Sequence, residues 1–300
     1  MPLQVSLTVI TKWFIAGCLM ISLTILIFTL TLFFLNTILP RYPLHDTPAL
    51  YGMPFEDVAF QATDGIHLTG WLIMRDTTKP TIIICHGLGA NKSDLLSIAR
   101  CVFDAGFNVF VFDFRGHGDS GGLSTSFGYL EQRDLLSAVD YLRRRKDPVT
   151  KRYGVYGVSM GAAVALMTAG KTTLVKTVIA DSSYATLEGV MYDFLGRLMR
   201  LPRWPFWPVV RLLYNIRYSV DIQYVSPMAA IRALSPRAVL LIAGERDDRM
   251  LPTYAQELYQ TAREPKGLWI IPGAGHLEGY GMMPEQYEEK VTGFFQRHLL

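Results

Sequence analysis

Six short apolar runs alternate with helical patterns along most of this chain, and that alternation limits the fold more than any other feature. The runs are Thr81–Cys85, Asn108–Asp113, Tyr153–Val158, Thr177–Ala180, Val239–Ala243 and Leu268–Ile271. Most are continuous rather than alternating, and rich in Val, Ile and Phe. Strands read this way when both faces of their sheet are covered. Helical patterns fall at Ser93–Phe103, Tyr129–Arg144, Gly161–Ala169, Tyr254–Ala262 and Glu285–His298. Strand and helix in alternation predict a mostly parallel, doubly wound α/β sheet. Two earlier runs, Val58–Ala62 and Ile66–Met74, flank the turn Thr63-Asp64-Gly65 and read as an antiparallel hairpin.

The chain of 300 residues is 50% hydrophobic and 18% charged, which suits one large α/β domain plus something additional and apolar. The addition is Trp13 to Leu39, 27 residues without a charge. As a helix it spans about 40 Å, enough to cross a bilayer with some tilt. A secretory signal has an apolar region of about 7–15 residues and a small-residue cleavage site. This run is longer, and Asn36-Thr37-Ile38-Leu39-Pro40 offers no such site. Residues 1–40 therefore read as a single-pass, uncleaved membrane anchor. Residues 41–54, with their prolines, read as a linker, and 55–300 as the globular domain. Lys12 and Arg41 flank the run and leave its orientation open. A net charge of +3, scattered along the chain, speaks against a nucleic-acid partner. The three cysteines, Cys18, Cys85 and Cys101, show no metal-ligand spacing, so neither a zinc site nor a disulfide framework is expected.

One stretch breaks the rhythm. About 186–233 lies between two strands and is too long for a simple crossover. It carries Tyr192, Trp204, Phe206 and Trp207 among Arg197, Arg200, Arg203 and Arg211. Helical spacing on both sides of Pro202–Pro208 makes it a helical cap. Its Trp and Arg content is also that of a lid that touches a membrane surface.

The chemistry centres on Gly157-Val158-Ser159-Met160-Gly161, placed between a strand and a helix. A sharp turn there lifts a serine hydroxyl clear of the sheet, with glycines where neighbouring backbone must pass close. Such a hydroxyl is a weak nucleophile until an imidazole takes its proton and a carboxylate orients that imidazole. His276 follows the last strand in Pro272-Gly273-Ala274-Gly275-His276 and is the candidate base. His86 and His117 lie in glycine-rich turns and read as structural. The acid lies in Gly244-Glu245-Arg246-Asp247-Asp248-Arg249. Local chemistry does not separate Asp247 from Asp248, but the spacing from Gly244 favours Asp247. A developing oxyanion needs N–H donors. Met160, after the serine, is one candidate, and Leu88 in His86-Gly87-Leu88-Gly89 is the other. Asn91-Lys92-Ser93 matches a glycosylation sequon, but reads as a helix start capped by Asn91 or Ser93.

These motifs, with Asp113-Phe114-Arg115-Gly116-His117-Gly118-Asp119-Ser120, resemble the α/β-hydrolase superfamily. More narrowly they resemble its membrane-anchored Bem46-like branch, serine aminopeptidase S33-like hydrolases. The order Ser159, Asp247, His276 belongs to that superfamily, and the resemblance runs from about Phe55 to Leu300. It implies an α/β-hydrolase fold with a helical lid, a Ser159–Asp247–His276 triad, and Leu88 and Met160 as oxyanion donors. It implies no metal or cofactor. The expected activity is hydrolysis of carboxylic esters or thioesters through an acyl-enzyme. A small-molecule acyl substrate, with a lipid-like one among the options, would be the partner, beside the membrane. A peptidase is the alternative enzymatic reading, and a catalytically silent binding protein on the same fold is the non-enzymatic one.

Overall fold

The computed structural model describes residues 7–145 and 152–300. Eight strands form one sheet: β1 (Glu56–Gln61), β2 (His67–Ile73), β3 (Thr81–Cys85), β4 (Asn108–Phe112), β5 (Tyr153–Val158), β6 (Val175–Asp181), β7 (Ala238–Gly244) and β8 (Lys266–Ile271). Their order is β1-β2-β4-β3-β5-β6-β7-β8. Strands β3 to β8 run parallel, and β2 pairs antiparallel with both β1 and β4. The expected sheet and hairpin are both present.

Side chains of the central strands alternate between two buried layers. Ile82, Ile84, Val109 and Val111 face Val102 of α2 (Leu96–Asp104) and Phe295 of α10 (Pro284–Leu299). Ile83, Phe110 and Phe112 face Leu135 of α3 (Glu131–Arg144) and Ala163 of α4 (Met160–Ala169). With both faces covered, no residue of β3, β4, β5 or β7 is exposed, which is why their sequences lack a polar period. Each fully buried Phe contributes about 2–3 kcal/mol through lost water contact. Every residue of α4 is buried, and its run of Gly and Ala admits close neighbours on all sides.

Between β6 and β7 the chain forms α5 (Leu187–Asp193), α6 (Arg203–Tyr218) and α7 (Pro227–Ile231). The sequence pattern suggests a break over Pro202–Pro208, whereas α6 begins within it. Trp204 is non-helical, so helical geometry starts at Pro205 and both Pro205 and Pro208 occupy the first turn. There a proline removes no intrahelical hydrogen bond. The Tyr214 hydroxyl donates to Ser126 O at 2.9 Å, and the Tyr218 hydroxyl to Thr125 O at 2.6 Å. The cap is therefore tied to the loop before α3. A short α8 (Pro252–Thr261) and α9 (Gly279–Met282) complete the domain.

Helix α1 spans Leu7–Thr37. Over its most apolar stretch only 11% is buried, and large apolar side chains such as Trp13, Phe14 and Leu19 stand exposed. Its last turns differ: Thr29, Phe33 and Thr37 are buried. The stretch after α1 is docked rather than free. Arg41 Nη1 donates to Ser120 O at 2.5 Å, and the Asn91 amide to Tyr42 O at 3.3 Å. Asn91 also caps the turn Lys92–Leu95 in a capping box with Asp94.

Candidate active site

The parallel strands end together. Register pairs Cys85 with Gly157, Val158 with Asp181, and Gly244 with Ile271, so the loops after β3, β5, β7 and β8 share one edge. All five sequence-predicted site residues lie in those loops or in the first residue of α4.

Ser159 follows β5 with φ 53° and ψ −118°, a conformation side-chain-bearing residues rarely adopt. Its N–H donates to Asp181 O at 2.8 Å, which holds the turn. A Cβ at Gly161 would strike the carbonyl oxygens of Cys85 and His86, and one at Gly157 the carbonyl of Gly161. Glycine at both places lets β3 and α4 close around the turn and leaves Ser159 facing outward.

His276 and Asp247 complete a line of hydrogen bonds. His276 Nε2 lies 3.2 Å from Ser159 Oγ, and Nδ1 lies 2.8 Å from Asp247 Oδ2. Asp247 is buried, and its Oδ1 accepts from the Arg249 and Met250 N–H groups at 2.9 and 2.8 Å. A carboxylate accepts, so Nδ1 carries the ring proton and Nε2 turns its lone pair to the serine. Asp248 is exposed. Glu245 accepts from the Gly273 N–H at 2.8 Å and so steadies the histidine loop.

The loop after β3 sits against the serine: a Cβ at Gly87 would lie 3.3 Å from Ser159 Cβ. The Leu88 N–H donates to no other group among the described residues. Met160 begins α4, where an N–H has no acceptor within the helix. Two imidazoles fix this loop from behind. His86 Nε2 accepts from the Phe114 N–H at 3.0 Å, so its Nδ1 donates to Gly87 O at 2.7 Å. His117 Nδ1 donates to Arg115 O at 2.8 Å, leaving Nε2 to accept from the Gly89 N–H at 3.2 Å. Burial lowers the pKa of both, well below the usual histidine range for His86, which keeps them neutral. The sequence marks both as turn residues; that they brace the loop after β3 is visible only in space.

Ser159, Met160, Leu88 and His276 open into a cavity of about 550 Å³. Its walls are mainly apolar, from α5, α6 and the turns between them. Arg249 is the charged residue of the lining, and no Asp or Glu is part of it. Thr29, Leu32, Phe33 and Asn36 of α1 also line it. The sequence pattern alone does not point to them, since exposed Thr24 and Thr31 interrupt the same apolar run. A second hollow, of about 800 Å³ between β8 and α10, has charged surface residues such as Lys290 and Arg297 and none of these groups. Among the described residues no three His, Cys, Asp or Glu side chains are placed to hold a metal ion.

Residues 82–291 match the model of the alpha/beta hydrolase family. The chain belongs to the α/β-hydrolase family. The uncharacterized protein YqkD of Bacillus subtilis is 32% identical over 232 residues, covering 77% of this chain and 75% of that protein. The alpha/beta hydrolase domain-containing protein WAV2 of Arabidopsis thaliana is 27% identical over 267 residues, 86% of this chain and 83% of its own length. Among solved structures, the Pyrococcus furiosus esterase Pf2001 superimposes with a TM-score of 0.74 at 27% identity, covering 87% of this α/β hydrolase and 97% of the esterase. Family membership and esterase neighbours together support a hydrolase activity for this chain.

Proposed function

We propose that this α/β hydrolase is a membrane-anchored serine hydrolase that cleaves carboxylic esters or thioesters through an acyl-enzyme. The observation that carries the reading is the Ser159–His276–Asp247 hydrogen-bond line at the mouth of an apolar cavity. Ser159 Oγ attacks the acyl carbon while its proton passes to His276 Nε2, and Asp247 stabilises the imidazolium. The oxyanion meets the Leu88 and Met160 N–H groups, each donor worth about 3 kcal/mol of barrier in such sites. His276 then protonates the departing oxygen or sulfur. Water enters, gives its proton to Nε2 and attacks the acyl-serine; the proton returns to Oγ as the acid leaves. The esterase neighbour favours ester chemistry. A peptidase that reads a free amino terminus needs an anion for the substrate's ammonium, and the cavity offers Arg249 instead. Helix α1 is the proposed anchor, on the strength of its length and exposed apolar surface.

A fluorophosphonate probe tests the reading. Wild type should be labelled at Ser159, and Ser159→Ala should be unlabelled with its circular dichroism retained. Labelling at another serine would overturn the assignment.

A further inference from the structure

The end of the anchor helix is part of the site. Thr29, Leu32, Phe33 and Asn36 recur at helical spacing, so they form one face of α1, and that face lines the cavity holding Ser159 and His276. Thr37 O accepts from the Thr125 N–H at 2.9 Å, and Thr125 O accepts from Tyr218 of α6, so α1 and α6 are fixed to the same residue. The Phe28 and Phe206 rings meet edge to face, centroids 5.7 Å apart, and Phe206 lines the cavity as well.

Length sets where this wall lies. The part of α1 before Thr29 covers roughly 22 residues, about 33 Å as a helix, which matches a hydrocarbon core of about 30 Å. The docked turns then begin where the hydrocarbon ends. On α6, Trp204 is 77% exposed, Leu212 and Ile216 stand exposed one turn apart, and Arg197, Arg200 and Arg203 are exposed nearby. Trp and Arg beside exposed aliphatic side chains belong at the headgroup level of a membrane. The cavity volume lies in the range, about 300–1,000 Å³, that encloses a single small ligand.

We infer that the substrate is a membrane-resident long-chain acyl ester whose chain enters this cavity from the bilayer side, with α1 as one wall of the acyl site. The inference rests on the hydrolase reading above, and it adds both the substrate's source and the residues that measure its chain. Leu32 fills space on the cavity wall, whereas Leu35, 65% exposed, faces away from it.

The experiment uses the full chain in phosphatidylcholine vesicles. Leu32→Trp should lower the ratio of kcat/KM for a sixteen-carbon over a four-carbon p-nitrophenyl ester by about tenfold, roughly 1.4 kcal/mol. Leu32→Ala should move that ratio the other way, and Leu35→Trp should leave it unchanged. Wild type should also hydrolyse 1-palmitoyl lysophosphatidylcholine in the vesicles faster than palmitoyl-coenzyme A in solution. If wild type hydrolyses esters and no Leu32 variant moves the ratio, α1 is not a wall of the acyl site. Preference for the soluble thioester would overturn entry from the bilayer. A wild type that hydrolyses neither ester nor thioester would instead overturn the hydrolase reading itself.

Discussion

Asp247 meets His276 Nδ1 at 2.8 Å with one carboxylate oxygen and holds two backbone N–H groups with the other. Each oxygen is committed, so the carboxylate has one orientation, and the imidazole it faces has one tautomer. In Asp247→Asn the amide keeps its place through one oxygen, and its NH2 then opposes Nδ1–H. The ring is driven to the wrong tautomer, and kcat should fall about 10⁴-fold with the fold intact. Asp248→Asn, on an exposed side chain, should stay within about twofold. Ester turnover with circular dichroism as the fold control decides between them; comparable losses in the two variants would move the acid to Asp248.

His117 is expected to act on catalysis through the loop after β3 rather than by touching substrate. Its Nε2 accepts from the Gly89 N–H, one residue beyond Leu88, the proposed oxyanion donor. In His117→Ala the loop loses one part-buried hydrogen bond, worth about 1 kcal/mol, and with it the alignment of the proposed oxyanion donor. kcat should drop about tenfold while KM stays within about twofold, and His117→Gln, whose side-chain carbonyl also accepts, should recover part of the loss. A change in KM with kcat intact would place His117 in substrate binding instead.

Much of this site was legible because its residues are tied to local geometry. Ser159 needs a strand-to-helix turn with glycine on either side, and Gly157 and Gly161 declare that turn in the sequence. His276 and Asp247 follow apolar strands, so their place at the sheet's carboxyl edge followed from the alternation of strand and helix. Asp247 and Asp248 are chemically identical; spacing from Gly244 favours Asp247, and its burial and its hydrogen bond to His276 separate the two in space. Roles that depend on tertiary proximity were not legible: His117 braces Gly89 across 28 positions of sequence. Nor does the sequence show which face of α1 is covered, since polar Thr29 and Asn36 on the cavity face have counterparts in Thr24 and Thr31 on the exposed one.

A buried carboxyl beside the proposed triad makes a prediction about stability and pH. Burial pushes the Asp181 carboxyl up to about 6, although Tyr287 and Ser182 donate hydrogen bonds to it. The folded value lies above the unfolded value near 3.8, so the folded protein binds the proton more tightly. The group's stabilising contribution is then complete below pH ~4 and is lost as pH rises through 6. A displacement of about two units corresponds to at most about 3 kcal/mol at high pH. Asp181→Asn keeps an acceptor for Tyr287 and carries no charge. It should raise Tm relative to wild type at pH 8 and lose that advantage at pH 4. A gain of equal size at both pH values would assign the effect to something other than ionisation.

The anchor itself is tested by where the chain partitions. The exposed part of α1 is apolar from Val9 to Phe28 with Lys12 as its one formal charge, so alkaline carbonate should leave the full chain in the membrane pellet. Leu19 and Leu23 lie in the middle of that stretch and touch nothing in the domain closely enough to be buried. An arginine at mid-bilayer is unfavourable by about 3 kcal/mol on insertion scales, so Leu19→Arg with Leu23→Arg opposes insertion by roughly 6 kcal/mol. The double variant should shift to the carbonate-soluble fraction. Leu35→Arg, beyond the stretch that matches the hydrocarbon, should remain in the pellet. If mass spectrometry places the mature N-terminus near residue 40, the segment is a cleaved signal, and Thr29 and Phe33 are absent from the working cavity. An intact N-terminus with the double variant still pelleted would show that contacts outside α1, of which the Trp204 edge of α6 is the nearest candidate, hold the protein to the membrane.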